Sequence, residues 1–373
     1  CRSIMLREEE GNIYNCFLSF SSNRPAFHLY SGPYLSEMRE IFEKSAFQEK
    51  SCLHCAGETL SLMRDALKIN NRERESGAVS FQVGMEFVKK ENYEKALELF
   101  DQALDYQVDY ENKGTTLISK ALCHLRLHEI KDAEAALEEA ERHMPSSAMI
   151  YYYRGMCEFE QRDYIEAIER FHDVLKNESD EVSLGDVYFY AGLSHIHIEE
   201  YDDGLSMMNQ AEKFFSNKSI VYYYIGICHL GLEALTSALD SLNKALASDP
   251  REEDMGNILF YLGHCYKEMG RYRKAILELE KARETDDMRE DIHNLMGFCY
   301  FKLKEHHSAI ECFRKAVAIN PTSAIDYANI GVNLREIGEV SEAILMLKKA
   351  LHLDPTIGFA QKHLHELREE TSK

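Results

Sequence analysis

The chain has 373 residues, 45% hydrophobic and 29% charged, with 64 acidic against 43 basic side chains and a formal net charge of −21. That apolar fraction suits a chain that buries a core and excludes wholesale disorder, while the charge disfavours a nucleic-acid backbone or an anionic membrane as partner. No run of eighteen consecutive apolar residues occurs, so no membrane-spanning helix is expected.

Six prolines, no tryptophan and a good supply of Ala, Leu, Glu and Lys favour helix. Length alone, at about 100–200 residues per domain, suggests two or three domains. The charge is uneven. Residues 1–76 carry ten Lys/Arg and eleven Asp/Glu, whereas residues 77–373 carry 33 and 53.

In the first part, residues 12–20 (Asn-Ile-Tyr-Asn-Cys-Phe-Leu-Ser-Phe) are β-prone, and the Ser21–Pro25 turn leads into Ala26–Tyr30, which predicts a hairpin. Ser31-Gly32-Pro33 then breaks the chain. Leu35, Met38, Ile41 and Phe42 take helical spacing, as do Leu60, Met63, Ala66 and Leu67, and predict two amphipathic helices. Asn70–Ser76 reads as a polar linker.

Cys52-Leu53-His54-Cys55, with Cys1 and Cys16 upstream, offers four thiolates that suit zinc or an iron–sulfur cluster. Against this, no second Cys-x-x-Cys follows at ribbon spacing, Ala56 stands where a haem c site has His, and no βαβ pattern supports a thioredoxin-like site. Unligated cysteines, and no cofactor, are therefore the plainer expectation. The opening Cys1 reads as the start of a cropped or processed chain, with a lipid-anchored form through Cys1 as the alternative.

From residue 77 the sequence repeats. Gly84, Gly155, Gly192, Gly226, Gly263, Gly297 and Gly331, with Ala121 in the one gap, occupy position 8 of units starting near 77, 114, 148, 185, 219, 256, 290 and 324. Twelve residues later come Ala96, Ala133, Ala167, Gly204, Ala238, Ala275, Ala309 and Ala343; seven further on lies another small residue, from Ala103 to Ala350. Large side chains recur at position 24, from Phe100 and Leu137 to Phe313 and Leu347. Tyr93, Tyr164, Tyr201 and Tyr272 share position 17, Gly270 and Gly338 share position 15, and Pro145, Pro250, Pro321 and Pro355 share the closing position. Small residues let two helices approach, the large one fills the gap, and glycine stops the first helix. Three units carry extra polar residues, Asp109–Lys113, Glu178–Ser183 and Arg251–Asp254, which read as longer loops.

This pattern resembles the tetratricopeptide repeat over about 297 of the 373 residues. The resemblance implies an all-α fold, a right-handed solenoid of helical hairpins. Eight units would fill 77–355, followed by a capping helix and tail over 356–373 that carries Phe359, Leu364 and Leu367, and preceded by a small mixed α/β segment over 1–76. It also implies that positions 2, 5, 6, 9 and 12 of each first helix line a concave surface.

Positions 5 and 6 supply the pairs Tyr152/Tyr153, Phe189/Tyr190, Tyr223/Tyr224 and Phe260/Tyr261; position 9 supplies Met156, Leu193, Ile227, His264 and Phe298, among others. Such a surface suits the apolar side chains of a partner peptide or helix, with tyrosine hydroxyls as polar handles. Two other readings stand beside this one: one ring of each pair packs between helices, or the chain's own N-terminal segment fills the groove. The carboxylate-clamp subtype that grips Hsp70 and Hsp90 chaperones needs Lys and Asn at set positions in three successive repeats, and no three here match.

Cys123, Cys157, Cys228, Cys265 and Cys299 share position 10, and Cys312 sits at 23; recurrence at one helical position reads as small apolar filler. Free thiols in such number suggest a reducing compartment, hence the cytoplasm. His124, His195 and His229 share position 11 and read as half-buried packing residues, while His306 and His307 read as solvated turn residues. No GxGxxG, P-loop, HExxH or GxSxG occurs. The expectation is a non-enzymatic scaffold or adaptor for complex assembly. The alternative is a solenoid-anchored metal or redox module at the N-terminal cysteines.

Overall fold

A helix with one apolar stripe must bury it against another element, and here each repeat does so as a hairpin. The computed structural model describes residues 5–7, 12–14, 73–105, 113–176 and 182–371. The chain forms two compact units, Cys1–Val182 and Ser183–Lys373. In the first, three hairpins pair α1 (Glu73–Val88) with α2 (Tyr93–Leu104), α3 (Lys113–Arg126) with α4 (Ile130–His143), and α5 (Ala148–Glu160) with α6 (Tyr164–Lys176).

In the second unit, five hairpins pair α7 (Leu184–His197) with α8 (Tyr201–Ala211), α9 (Ser219–Gly231) with α10 (Leu235–Ala247), and α11 (Glu252–Glu268) with α12 (Tyr272–Thr285). They continue with α13 (Glu290–Lys302) and α14 (His306–Ile319), then α15 (Ala324–Glu336) and α16 (Val340–Leu353), and α17 (Gly358–Thr371) ends the unit. Within each unit, the second helix of a hairpin packs on the first helix of the next, and neighbouring first helices also touch. Each unit is thus a solenoid of hairpins.

The glycine series explains the hairpin. A Cβ built on Gly84, Gly155, Gly226, Gly263, Gly297 or Gly331 would lie 2.6–2.8 Å from the position-24 side chain of the same hairpin, closer than real Cβ contacts come, and one on Gly192 would lie 3.0 Å from Met208. Those facing side chains, including Phe100, Phe171, Leu242 and Phe313, are fully buried, and the position-20 alanines are too. Where Ala121 replaces the glycine, the opposing side chain is Leu137.

The turn after each first helix is equally regular. Position 15 has positive φ in all eight repeats: Glu91, His128, Arg162, Glu199, Glu233, Gly270, Lys304 and Gly338, at 57–84°. Around it, the amide at position 16 donates to the carbonyl at position 11 over 2.8–3.0 Å, and the amide at position 15 donates to that at position 12 over 2.9–3.1 Å. These two bonds are the Schellman motif, which satisfies the last carbonyls of the helix. The sequence marks it with glycine only at Gly270 and Gly338. In the other six repeats a side-chain residue takes the left-handed conformation, at a cost of about 1–2 kcal/mol each, and the hairpin packing offsets it.

Some expectations change. Glu252, Glu253 and Asp254, read as a loop insertion, form the first turn of α11, where three acids lie at the positive end of the helix dipole. Likewise, Glu73–Ser76 of the expected polar linker are the first turn of α1. Asn12–Tyr14 is a strand (β2), but it pairs antiparallel with Met5–Arg7 (β1), with Leu6 opposite Ile13. The expected partner Ala26–Tyr30 and the two helices predicted before residue 70 lie outside the described residues. In α17 the buried stripe is Ala360, Leu364 and Leu367, and Phe359, one residue off that stripe, is exposed. Arg335 ties this helix to α15 through Glu366 at 2.5 Å and Glu370 at 2.8 Å. No helix among the described residues is long and apolar enough to cross a membrane.

Gly297→Ala sets a carbon 2.8 Å from the Phe313 ring and is expected to destabilise the fold by about 1–3 kcal/mol. A double-mutant cycle with Phe313→Leu, read by chemical denaturation, should give a favourable coupling, because the second repeat already combines Ala121 with Leu137.

Candidate functional site

The position-10 cysteines settle into the core. Cys123, Cys157, Cys228, Cys265 and Cys299 are buried free thiols, and burial pushes each up to about 12; Cys312 is pushed up to about 11. At pH 8 they remain protonated, so they are poor nucleophiles and poor metal ligands. Cys1, Cys16, Cys52 and Cys55 lie outside the described residues.

The position-11 histidines serve the turn. His124 Nδ1 meets Glu129 Oε2 at 2.8 Å and His195 Nδ1 meets Glu200 Oε2 at 2.8 Å, joining positions 11 and 16 across the Schellman turn. With Asp132 and Asp203, these form the two groupings among the described residues whose ligand atoms lie close enough to share an ion. His229 has Ala234 at the acid's position, and burial lowers its pKa. His306, expected in solvent, instead bonds Asn333 Oδ1 through Nδ1 at 2.9 Å.

The candidate groove comes from the first helices. In the N-terminal unit, α5 carries Tyr152, Tyr153 and Met156, all half-buried, with the two tyrosine rings edge to face at 5.1 Å. In the C-terminal unit, α7 carries Phe189, Tyr190 and Leu193; α9 carries Tyr223, Tyr224 and Ile227; α11 carries Phe260, Tyr261 and His264; and α13 carries Phe298. Leu193 and Tyr223 are buried, at 8% and 9% exposure, so they support the surface and do not form it. The other eight are half-buried.

Ring packing within that unit follows a rule. Each position-6 tyrosine meets the position-5 ring of the preceding hairpin: Tyr224 on Phe189 at 5.6 Å, and Tyr261 on Tyr223 at 5.7 Å. Phe189 also meets Phe215 at 5.5 Å, and Tyr223 meets Tyr224 at 4.8 Å. Rings therefore pack between neighbouring hairpins, and most remain partly exposed. Burial raises the pKa of Tyr223, Tyr224 and Tyr261, so their hydroxyls stay protonated and can donate.

Cations edge these rings, a feature that the aromatic pattern does not disclose. The Arg289 guanidinium lies 4.9 Å from the Phe260 centroid, donates to Asn257 Oδ1 at 2.8 Å and grips Asp291 through Nε at 3.1 Å and Nη2 at 2.6 Å. Lys267 and Lys302 lie 5.1 and 5.2 Å from the Phe298 centroid. Lys302 stands one helical turn after Phe298, a contact legible in the sequence, whereas the approach of Lys267 from the preceding hairpin is not. Burial and the charge of Lys267 lower the pKa of His264, which therefore stays neutral near pH 7.

Comparisons with known proteins agree on the repeat. Tetratricopeptide repeat families match residues 118–180, 257–286 and 290–323. The Cut9–Hcn1 hetero-tetramer of the APC/C aligns at 16% identity and a TM-score of 0.52, covering 82% of this chain and 59% of that chain. The C-terminal part of a repeat protein from Cytophaga hutchinsonii aligns at 15% identity and 0.52, covering 66% and 99%. A tetratricopeptide repeat protein from Parabacteroides merdae aligns at 14% and 0.50, covering 70% and 99%. At these identities the likeness is one of fold. A search of curated proteins finds no match.

Thiol titration with an aromatic disulfide reagent at pH 8 should leave the six buried cysteines unlabelled until the chain is denatured. Stability should also fall as pH rises past the ordinary thiol range, because only the unfolded chain then sheds those protons.

Proposed function

The chain belongs to the tetratricopeptide repeat superfamily, and on that premise we propose that it is a non-enzymatic scaffold or adaptor that holds a partner polypeptide against the aromatic face of its first helices. Proteins of this superfamily generally mediate protein–protein interaction. The observation that carries the finer reading is the run of rings on α7, α9 and α11, packed on one another and mostly still partly open, with half-buried Phe298 following on α13. Partly exposed aromatics held rigid by their neighbours make good anchors, since little side-chain entropy remains to be lost on binding.

The partner proposed is a protein or peptide. A net charge of −21 argues against nucleic acid. The buried free thiols fit a reducing compartment, and the proposed location is the cytoplasm. The sequence departs from the carboxylate-clamp pattern, so Hsp70 and Hsp90 chaperones are not the proposed partners.

Affinity capture with the full chain, beside a Tyr224→Ala/Phe260→Ala variant, tests this. Interface anchors contribute ~2 kcal/mol or more each, so capture of a saturable partner should drop at least about tenfold while helical circular dichroism is retained. Undiminished capture by the folded variant refutes the groove.

A further inference from the structure

The rings of the C-terminal unit change company along the first helices. From α7 to α11 ring meets ring, as with Phe189 and Tyr224 at 5.6 Å. From α11 to α13 cations join the rings: Arg289 on Phe260 at 4.9 Å, then Lys267 and Lys302 on Phe298 at 5.1 and 5.2 Å, beside an edge-to-face contact of Phe298 with Tyr272 at 6.5 Å. Two ammonium groups gathered on one ring are a local exception in a chain of net charge −21. The ring attracts both, yet the two repel each other, and an anion beside them relieves that repulsion.

The cations differ in what already occupies them. Arg289 is committed to Asp291 and Asn257. Lys267 touches Glu268 at 2.5 Å, a pair with a half-exposed acid that exchanges partners readily. Lys302 is exposed and makes no ion pair among the described residues. One turn before Lys267, His264 holds a buried Nδ1 with no hydrogen-bond partner among the described residues. A polar atom left so is costly unless something supplies its partner. Phe298 itself is half-buried.

We propose that the groove of the C-terminal unit is polarised. It takes a peptide whose apolar side chains lie on the rings of α7, α9 and α11 and whose acidic side chain lies beside Phe298, against Lys267 and Lys302. The partner is thus an acidic–apolar segment held in one direction, its acid at the α13 end. This rests on the groove reading given above and adds the partner's charge and orientation.

The test uses the full chain and short fluorescent peptides with Leu and Phe in one half and three Asp in the other, made in both orders, with Asn counterparts. Fluorescence anisotropy at low salt should show one Asp peptide binding about tenfold or more tighter than both its Asn counterpart and the reversed order, an advantage that shrinks as salt screens the charges. Lys267→Gln/Lys302→Gln should erase the advantage and leave the Asn peptide's affinity unchanged. Equal binding of Asp and Asn peptides, or an advantage that survives the lysine substitutions, overturns the polarity and leaves the groove standing. Binding of none of the peptides overturns both.

Discussion

The described helices depend on one contact, made by glycine in seven hairpins and by Ala121 in the eighth: a minimal residue on the first helix faces a large apolar side chain on the second. The tightest of these leave 2.6 Å between a would-be Cβ and the opposing carbon. This sets the distance between the paired helices, and the buried alanines at position 20 hold it from the other side. Because each hairpin covers only one of its faces this way, the other faces must meet the next hairpin, and a stack follows from the pair.

The Schellman turn fixes how the second helix leaves the first. Its geometry recurs in all eight repeats although only two supply glycine. Six other residues (three Glu, with His, Arg and Lys) accept the left-handed conformation because the two helices they join are already held by the small-residue contact at positions 8 and 20. Local preference yields to packing here, and His124 and His195 add a side-chain bridge across the same turn.

The row of aromatic rings on the first helices is a by-product of that stacking. First helices come side by side, so their rings meet in register, and a position-6 tyrosine finds the position-5 ring before it. Packing between hairpins still leaves most of these rings partly exposed. Towards α13 the residues beside the rings become cationic.

Much of this is legible in the sequence, because glycine, alanine and large apolar residues at fixed spacing report helix contact directly. The repeat starts, the position-24 fillers and the buried cysteines follow from that periodicity. Loops were less legible: Arg251–Asp254 looks like an insertion, yet its three acids stabilise an added helical turn. Position placed the candidate residues on the first helices but not their exposure, and Tyr223 and Leu193 are buried because neighbouring hairpins close over them. Lys302 reaches Phe298 across one helical turn, but nothing in spacing brings Lys267 to the same ring, since it belongs to another hairpin. The sequence by itself determined the hairpin, whose contacts lie within one repeat. Only the tertiary structure decided the turn conformation and the company each ring keeps, because both arise where separate elements meet.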